Sequence, residues 1–341
     1  MKPAIALDAM GGDFAPANTV AGAILAAREL GSRVILVGRE DEIQRELNRH
    51  RAKEASLSIV HASESVAMDE APAMALRRKK DSSLRVAANL VRDGQAEALV
   101  SAGNSGAVMA TAVFVLGAVA GVDRPALAAV VPNRKGGVTV WLDVGANVDS
   151  KPQHIHQWAI MAHIYAKNIM GVASPRVGLL SIGEEAGKGN DLVKETFKLL
   201  QESRINFIGN VEGHDIFDGN ADVIVCDGFT GNVSLKAVES ATETLFHFLK
   251  QEFSRSWRTR LGYLLSRPAF KGFRKRVDYA EFGGVPLLGV KGATIISHGR
   301  SSPRAIRNAI RVAGEVVENR VNDQIQKEIE ENTHPMRSEM A

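Results

Sequence analysis

Short apolar runs rich in β-branched residues recur along the chain: "AIALD", "RVILVG", "LSIVHA", "EALVSA", "LAAVVP", "VTVWLDV", "RVGLLSIG", "DVIVCDG" and "ATIISHG". Between most of them lie longer segments in which apolar residues return every three or four positions, as in Asn18–Leu30, Asp81–Arg92, Gln153–Met170 and Ser301–Val321. The first pattern predicts strands buried on both faces, and the second predicts helices packed over them. Together they predict an α/β fold, a mainly parallel, doubly wound sheet in a three-layer α/β/α arrangement. Residues 1–321 read as a single domain, because no internal repeat or low-complexity linker interrupts the alternation. Beyond Val321 the sequence "NDQIQKEIEENTHPMRSEMA" is polar, and residues 322–341 are expected to fray as a C-terminal tail.

Sheets of this kind bind ligands beyond the carboxyl ends of their strands. In this chain those ends run into polar, glycine-rich stretches: "DAMGGD", "SAGNSG", "DVGANVD", "SIGEEAGKGN", "DGFTGN" and "SHGRSS". One such loop says little, since turns need glycine anyway, but six in one chain point to a crowded site. The candidate binding residues are Asp8, Gly11, Gly12 and Asp13 in the first, and Ser101, Gly103, Asn104, Ser105 and Gly106 in the second. Asp143 and Asn147 follow in the third, Lys188 in the fourth, Asp227, Gly231, Asn232 and the nearby Lys236 in the fifth, and His298 in the last. "SAGNSG" and "SHGRSS" each lead from a strand into a helix, where free amides and hydroxyls suit an oxyanion. Either alone reads as ordinary helix capping by Asn104 or Ser302; the pair points to phosphate or a similar anion.

Other chemistries fit less well. No GxGxxG follows a strand, so a Rossmann cofactor site lacks its pyrophosphate turn. "GEEAGKGN" fails as a Walker loop, with Ile182 at the first glycine position and Gly189 where a metal-binding hydroxyl belongs. Asp8, Asp13, Asp143, Asp149 and Asp227 would suit Mg²⁺ if they converged, but capping and pairing are the favoured roles. His154 and His156 stand two apart, which on a helix points them away from each other, and no third ligand is suitably spaced. No metal and no cofactor are expected. Cys226 sits inside an apolar run as an inert thiol, and there is no GxSxG elbow, so the nucleophile is left to a substrate.

Composition changes the picture in one place. With 45% apolar and 24% charged residues the chain reads as an ordinary soluble protein, and a lone cysteine fits a reducing cytosol. Ala98–Val122 carries no charge, yet the polar "GNSG" near its start leaves too short an apolar helix for a membrane span. The formal charge is only +3, but eight bases and no acid lie between Phe253 and Val277, which leaves −5 for the rest. There Phe253, Trp257, Leu261, Leu264 and Leu265 fall on one helical face, with Arg255 and Arg258 on the other and Phe270, Lys271 and Phe273 beyond. Residues 247–282 therefore read as a protruding helical arm, basic and amphipathic, for an anionic membrane surface or an acidic partner. Nucleic acid is disfavoured by the acidic remainder and the lack of a reading motif. Arg77, Arg78, Lys79 and Lys80 make a second basic turn, either solvated or in contact with an acidic partner.

Taken together, "ALDAMGGDFAP", "RRKKDSS", "SAGNSGA", "DRPALA", "LDVGANVD", "DGFTGNVSLK" and "SHG" resemble the phosphate acyltransferases of bacterial phospholipid synthesis, the PlsX family, in order from Ile5 to about Val321. The resemblance implies attack of inorganic phosphate on the thioester of a long-chain acyl carrier protein, giving acyl phosphate without a covalent enzyme intermediate. It also implies a homodimer with a sheet like that of the isocitrate and isopropylmalate dehydrogenases, at the cytoplasmic face of the cell membrane. There the acyl phosphate would pass to a glycerol-3-phosphate acyltransferase. On this reading Lys188, Asn232 and His298 are the catalytic candidates, and the two basic segments meet carrier protein or membrane. Rival readings are a short-chain acyl-coenzyme A phosphate acyltransferase, a metal- and NAD-dependent decarboxylating dehydrogenase, and a non-catalytic membrane scaffold.

Overall fold

Alternation within the first run sets the layers: Ile5 and Leu7 join the core on one face of a sheet, while Ala4 and Ala6 join the core on the other. The structure is a computed structural model that describes residues 2–338 apart from 55 and 278–282. Its strands are β1 (Ala4–Asp8), β2 (Arg33–Gly38), β3 (Leu57–His61), β4 (Ala98–Ser101), β5 (Ala126–Pro132), β6 (Val138–Leu142), β7 (Val177–Leu180), β8 (Phe207–Val211), β9 (Val223–Val225), β10 (Val285–Leu288) and β11 (Ala293–Ile296). The helices in the first half are α1 (Ala17–Leu30), α2 (Glu40–Arg49), α3 (Pro72–Arg78), α4 (Ser83–Arg92), α5 (Ser105–Val115) and α6 (Pro152–Ile169). Then come α7 (Asp191–Glu202), α8 (Asp215–Asp218), α9 (Gly228–Ser254), α10 (Trp257–Val277), α11 (Pro303–Glu318) and α12 (Val321–Ser338). Residues of α1, α6, α11 and α12 pack on one face of the sheet, and those of α4 and α5 on the other.

The eleven strands among the described residues form one sheet in the order β3-β2-β1-β4-β11-β10-β5-β6-β9-β7-β8. The expectation of a mainly parallel α/β sheet holds. Strands β3, β2, β1, β4 and β11 run together, and β6, β9, β7 and β8 run together. Three antiparallel pairings, β11 with β10, β10 with β5 and β5 with β6, reverse the direction between the groups. Carboxyl ends of the first group therefore leave the ladder at the opposite end from those of the second. Between β1 and β6 lie five strand spacings, about 24 Å at ~4.8 Å each.

Two expectations are corrected. Over its described residues, to Ser338, the polar C-terminal segment is a helix and not a frayed tail: Val321, Ile325 and Ile329, one per turn of α12, are buried, and α12 packs on α6. A few apolar positions at helical spacing anchor an otherwise polar helix. The apolar face expected from Phe253 to Leu265 is also not one helix. α9 ends at Ser254, and Ser256 caps α10, its backbone and side chain bonded reciprocally with Thr259, so α10 starts afresh and folds back on α9. Phe253, Tyr263 and Phe270 pack on one another at ring separations of 5.0–5.3 Å, and Phe246 lies 5.8 Å from Phe273. Phe253 and Phe270 thus hold the hairpin together, while Trp257, Leu261, Leu264 and Leu265 remain exposed. The side chain of Lys271 and the last residues of the expected arm, 278–282, lie outside the described residues.

Candidate active site

Three loops of the first strand group meet because their strands β1, β4 and β11 are parallel neighbours. Asp8, at the end of β1, is buried among them. Its Oδ1 accepts the Ser83 hydroxyl at 2.6 Å and the Met10 amide at 3.3 Å, and its Oδ2 accepts the Ser101 hydroxyl at 2.7 Å. Ser101 Oγ in turn accepts the Gly103 amide at 3.1 Å. Burial pushes the Asp8 carboxyl above the usual range, against the opposing pull of its hydroxyl and amide donors. Gly11 is needed for contact, since a Cβ there would stand 2.5 Å from Asp8 Oδ2 and 2.9 Å from the Gly103 amide. Next along, Gly12 has φ +111° and faces the Gly299 carbonyl, so the turn suits glycine alone. Asp13 then donates its amide to the Gly299 carbonyl at 2.8 Å, joining "DAMGGD" to "SHGRSS".

At the mouth of this junction α5 begins. Asn104 caps it, accepting the Ala107 amide at 3.0 Å, and its Nδ2 clamps the carbonyls of Met68 and Glu70 at 2.9 and 3.0 Å. The capping role is therefore real, and it leaves the Ser105 and Gly106 amides of the first turn at the positive end of the helix. Ser302 likewise caps α11, accepting the Ala305 amide at 3.2 Å. His298 is exposed beside it, and its Nδ1 accepts the Arg300 amide at 3.1 Å. Ser83 and Gly299, which complete this region, were not among the candidates read from sequence; the hydroxyls at the start of α4 were the available signal for Ser83.

The second strand group gathers the remaining candidates. Asp143, following β6, is fully buried. Its Oδ1 accepts amides of Leu127, Gly145 and Ala146 at 3.0–3.2 Å, and its Oδ2 accepts the amide and side chain of Asn147 at 2.8 and 2.9 Å. Here too burial raises the carboxyl above its ordinary value, with those amides working against it. Asp227 caps α9 through Thr230, and a Cβ on Gly231 would stand 1.9 Å from the Asp143 carbonyl. Asn232 flanks Gly145. Lys188 is exposed on the loop after β7, where Asn210 holds the Glu185 carbonyl at 2.9 Å. Lys236 pairs with Glu239 at 3.1 Å, its side chain mostly in solvent.

The five aspartates therefore do not converge: Asp8 and Asp13 stand at one end of the ladder, and Asp143, Asp149 and Asp227 at the other. Nor do all the cations of the basic turn face outward. Arg77, Arg78 and Lys80 are exposed, but Lys79 pairs with Glu70 at 2.6 Å and donates to the Ser65 carbonyl at 2.7 Å. Cys226 is buried, accepts the Trp141 indole N–H at 3.3 Å, and its thiol is pushed up by burial. Among the described residues no helix is long and apolar enough to cross a membrane.

Residues 4–324 match the family model described as "Fatty acid synthesis protein". A phosphate acyltransferase of Pelotomaculum thermopropionicum is 55% identical over 326 residues, covering 96% of this chain and 95% of the relative. One from Geobacter sulfurreducens is 51% identical, covering 96% and 94%. Among solved structures, a phosphotransacetylase from Streptococcus pyogenes superposes with a TM-score of 0.61 at 17% identity, over 93% of this chain and 94% of that one. EutD phosphotransacetylase from Staphylococcus aureus gives 0.59 at 15%, over 92% and 94%. These two likenesses establish a shared fold.

Proposed function

The chain belongs to the fatty acid synthesis protein family of phosphate acyltransferases, and from that premise we propose that it moves a long-chain acyl group from acyl carrier protein to inorganic phosphate. The observation that carries the reading is the junction of the three loops around Asp8. A helix amino terminus with the amides of its first turn suits an oxyanion there, with His298 beside it. One phosphate oxygen attacks the thioester carbon, the carbonyl oxygen takes the negative charge of the tetrahedral intermediate, and the carrier thiolate leaves as the C–S bond breaks. Donors placed for that charge, together with the alignment of two substrates, supply the acceleration. A thiolate is a good leaving group, so no covalent enzyme intermediate is required.

Partners follow from charge and exposure. Arg77, Arg78 and Lys80 offer a basic rim to the acidic carrier protein. The α9–α10 hairpin, with Trp257 71% and Leu265 75% exposed among arginines, suits the anionic cytoplasmic face of the membrane, where an apolar acyl phosphate is best delivered to the glycerol-3-phosphate acyltransferase that uses it. A homodimer is part of the same reading. The short-chain alternative is favoured by the shared phosphotransacetylase fold, but it leaves the apolar, basic hairpin without a purpose.

The test mixes the protein with palmitoyl-acyl carrier protein, with and without phosphate, and follows the free carrier thiol. Phosphate-dependent release is expected, and release from acetyl-coenzyme A alone would move the assignment to the short-chain reading. In the same assay Lys188→Ala should lower turnover on the order of a hundredfold if the second loop group acts in this reaction; near-normal turnover would remove it. Trp257→Glu with Leu261→Glu should abolish flotation with anionic vesicles while thiol release persists.

A further inference from the structure

Three large apolar side chains near this junction are exposed, Phe14, Met68 and Met74, at 52%, 43% and 40%. They are not scattered. Phe14 follows Asp13 in the first loop, and the Met68 carbonyl is held by Asn104 at 2.9 Å. The Met68 methyl lies over Gly299, 2.6 Å from where a Cβ of that glycine would stand, with Asp13 Oδ1 3.2 Å from the same point. Met74 sits on α3, whose Pro72 abuts Gly106 at the start of α5, and it is followed by the exposed Arg77 and Arg78. A polar, anion-suited junction thus carries an apolar lip that extends toward a basic rim.

We infer that Met68, Phe14 and Met74 form the seat of the aliphatic chain of the acyl donor, running from the basic rim to the loop junction. The inference rests on the acyl-transfer reading and adds to it the residues that sense chain length. Exposed apolar groups stand elsewhere on the chain too, Phe114, Ile182 and Phe229 among them, but these three line the edge of one polar, anion-suited site, where an apolar ligand would cover them. Methionine fits such a seat, because its unbranched, polarizable side chain adapts to a flexible chain without imposing one shape. Position decides the occupant, because the apolar lip adjoins the amides that would hold phosphate, as the reacting acyl carbon must.

The experiment compares kcat/KM for thiol release from palmitoyl- and butyryl-acyl carrier protein in the wild type, Phe14→Ala, Met68→Ala and Met68→Leu. Met68→Ala should lose about tenfold on palmitoyl, close to two buried methylene contacts, less than about twofold on butyryl, and Met68→Leu should recover most of the loss. Equal losses on both donors, or no loss on either, would overturn the assignment. If the wild type releases no thiol from either donor, the transfer reading fails and cis-parinaric acid fluorescence decides the seat separately. Binding by the wild type that weakens in Met68→Ala upholds it, and binding that is absent or indifferent to the substitution overturns it.

Discussion

Each strand group ends in loops organised around one buried aspartate, yet the two aspartates are held by different kinds of donor. Asp143 collects four backbone amides and one side-chain amide, and all but the Leu127 amide come from within four residues of itself. It folds its own loop. Asp8 is held mainly by two serine hydroxyls, from residues 75 and 93 positions away. It stitches together segments that the sheet merely brings near. An amide N–H can only donate, whereas a hydroxyl can also accept. The Asp143 loop is thus chemically committed to a carboxylate; the Asp8 junction tolerates a change of partner.

The widest gap is expected for the isosteric substitution Asp143→Asn. Both oxygens of Asp143 face amide donors, so the new NH₂ group must point at N–H groups in either orientation. A buried donor left without an acceptor costs about 1–3 kcal/mol, and at least two are stranded here. A loss of roughly 4 kcal/mol, read as the urea midpoint, is expected from two such donors. A variant within about 1 kcal/mol of wild type, the worth of one ordinary hydrogen bond, would show that the Asp143 carboxylate does not organise the loop. Ser83→Ala comes next. It removes the 2.6 Å hydroxyl bond to Asp8 Oδ1 and leaves that buried oxygen one donor short, a cost of about 2 kcal/mol. Since that bond also ties α4 to the β1 loop, thiol release should fall with stability, and Ser83→Thr should restore both.

This contrast was only half legible in the sequence. Strand runs such as "AIALD" and "RVILVG" were readable because apolar continuity is a local property. Strands β8 "FIGNV" and β10 "VPLL" were not, being short and interrupted by glycine or proline. The polar strand-end loops were recognisable as a set, but their division into two groups depends on strand direction, which three antiparallel pairings set at long range. Asn104 and Asp227 were readable as caps, from their place just ahead of a helix. The hydroxyl of Ser83 was visible at the start of α4, but its bond to Asp8 spans 75 positions, so the sequence did not show its partner. The break at Ser256 was written locally, as a serine three residues before Thr259, yet the apolar spacing across it masked the signal.

Asp8→Asn should have the smallest effect and is the sharpest test of the contrast. With its NH₂ toward Ser101 Oγ, the asparagine donates where the aspartate accepted. Ser101 can take that bond as well as the Gly103 amide, since its hydroxyl oxygen has two lone pairs. The oxygen left toward Ser83 and Met10 keeps its donors. The Ser101 hydroxyl, which donated to the aspartate, must turn to a new acceptor, so a change of about 1 kcal/mol, the low end for one displaced donor, is expected at neutral pH. Its sign depends on pH. Burial raises the Asp8 carboxyl in the folded protein above its ordinary value, so the native state holds this proton more tightly than the unfolded chain. The stability contributed by the group is then fully present below the ordinary aspartate pKa, ~3.9, and is lost as pH rises toward the raised folded value. Asparagine does not titrate. Thermal midpoints of the two proteins, measured from about pH 4 to about pH 7 across that window, should therefore shift in favour of the variant as pH rises. A shift toward the wild type would mean that the carboxylate is held below its ordinary value by its donors, and that Asp8 needs its charge as much as Asp143 does.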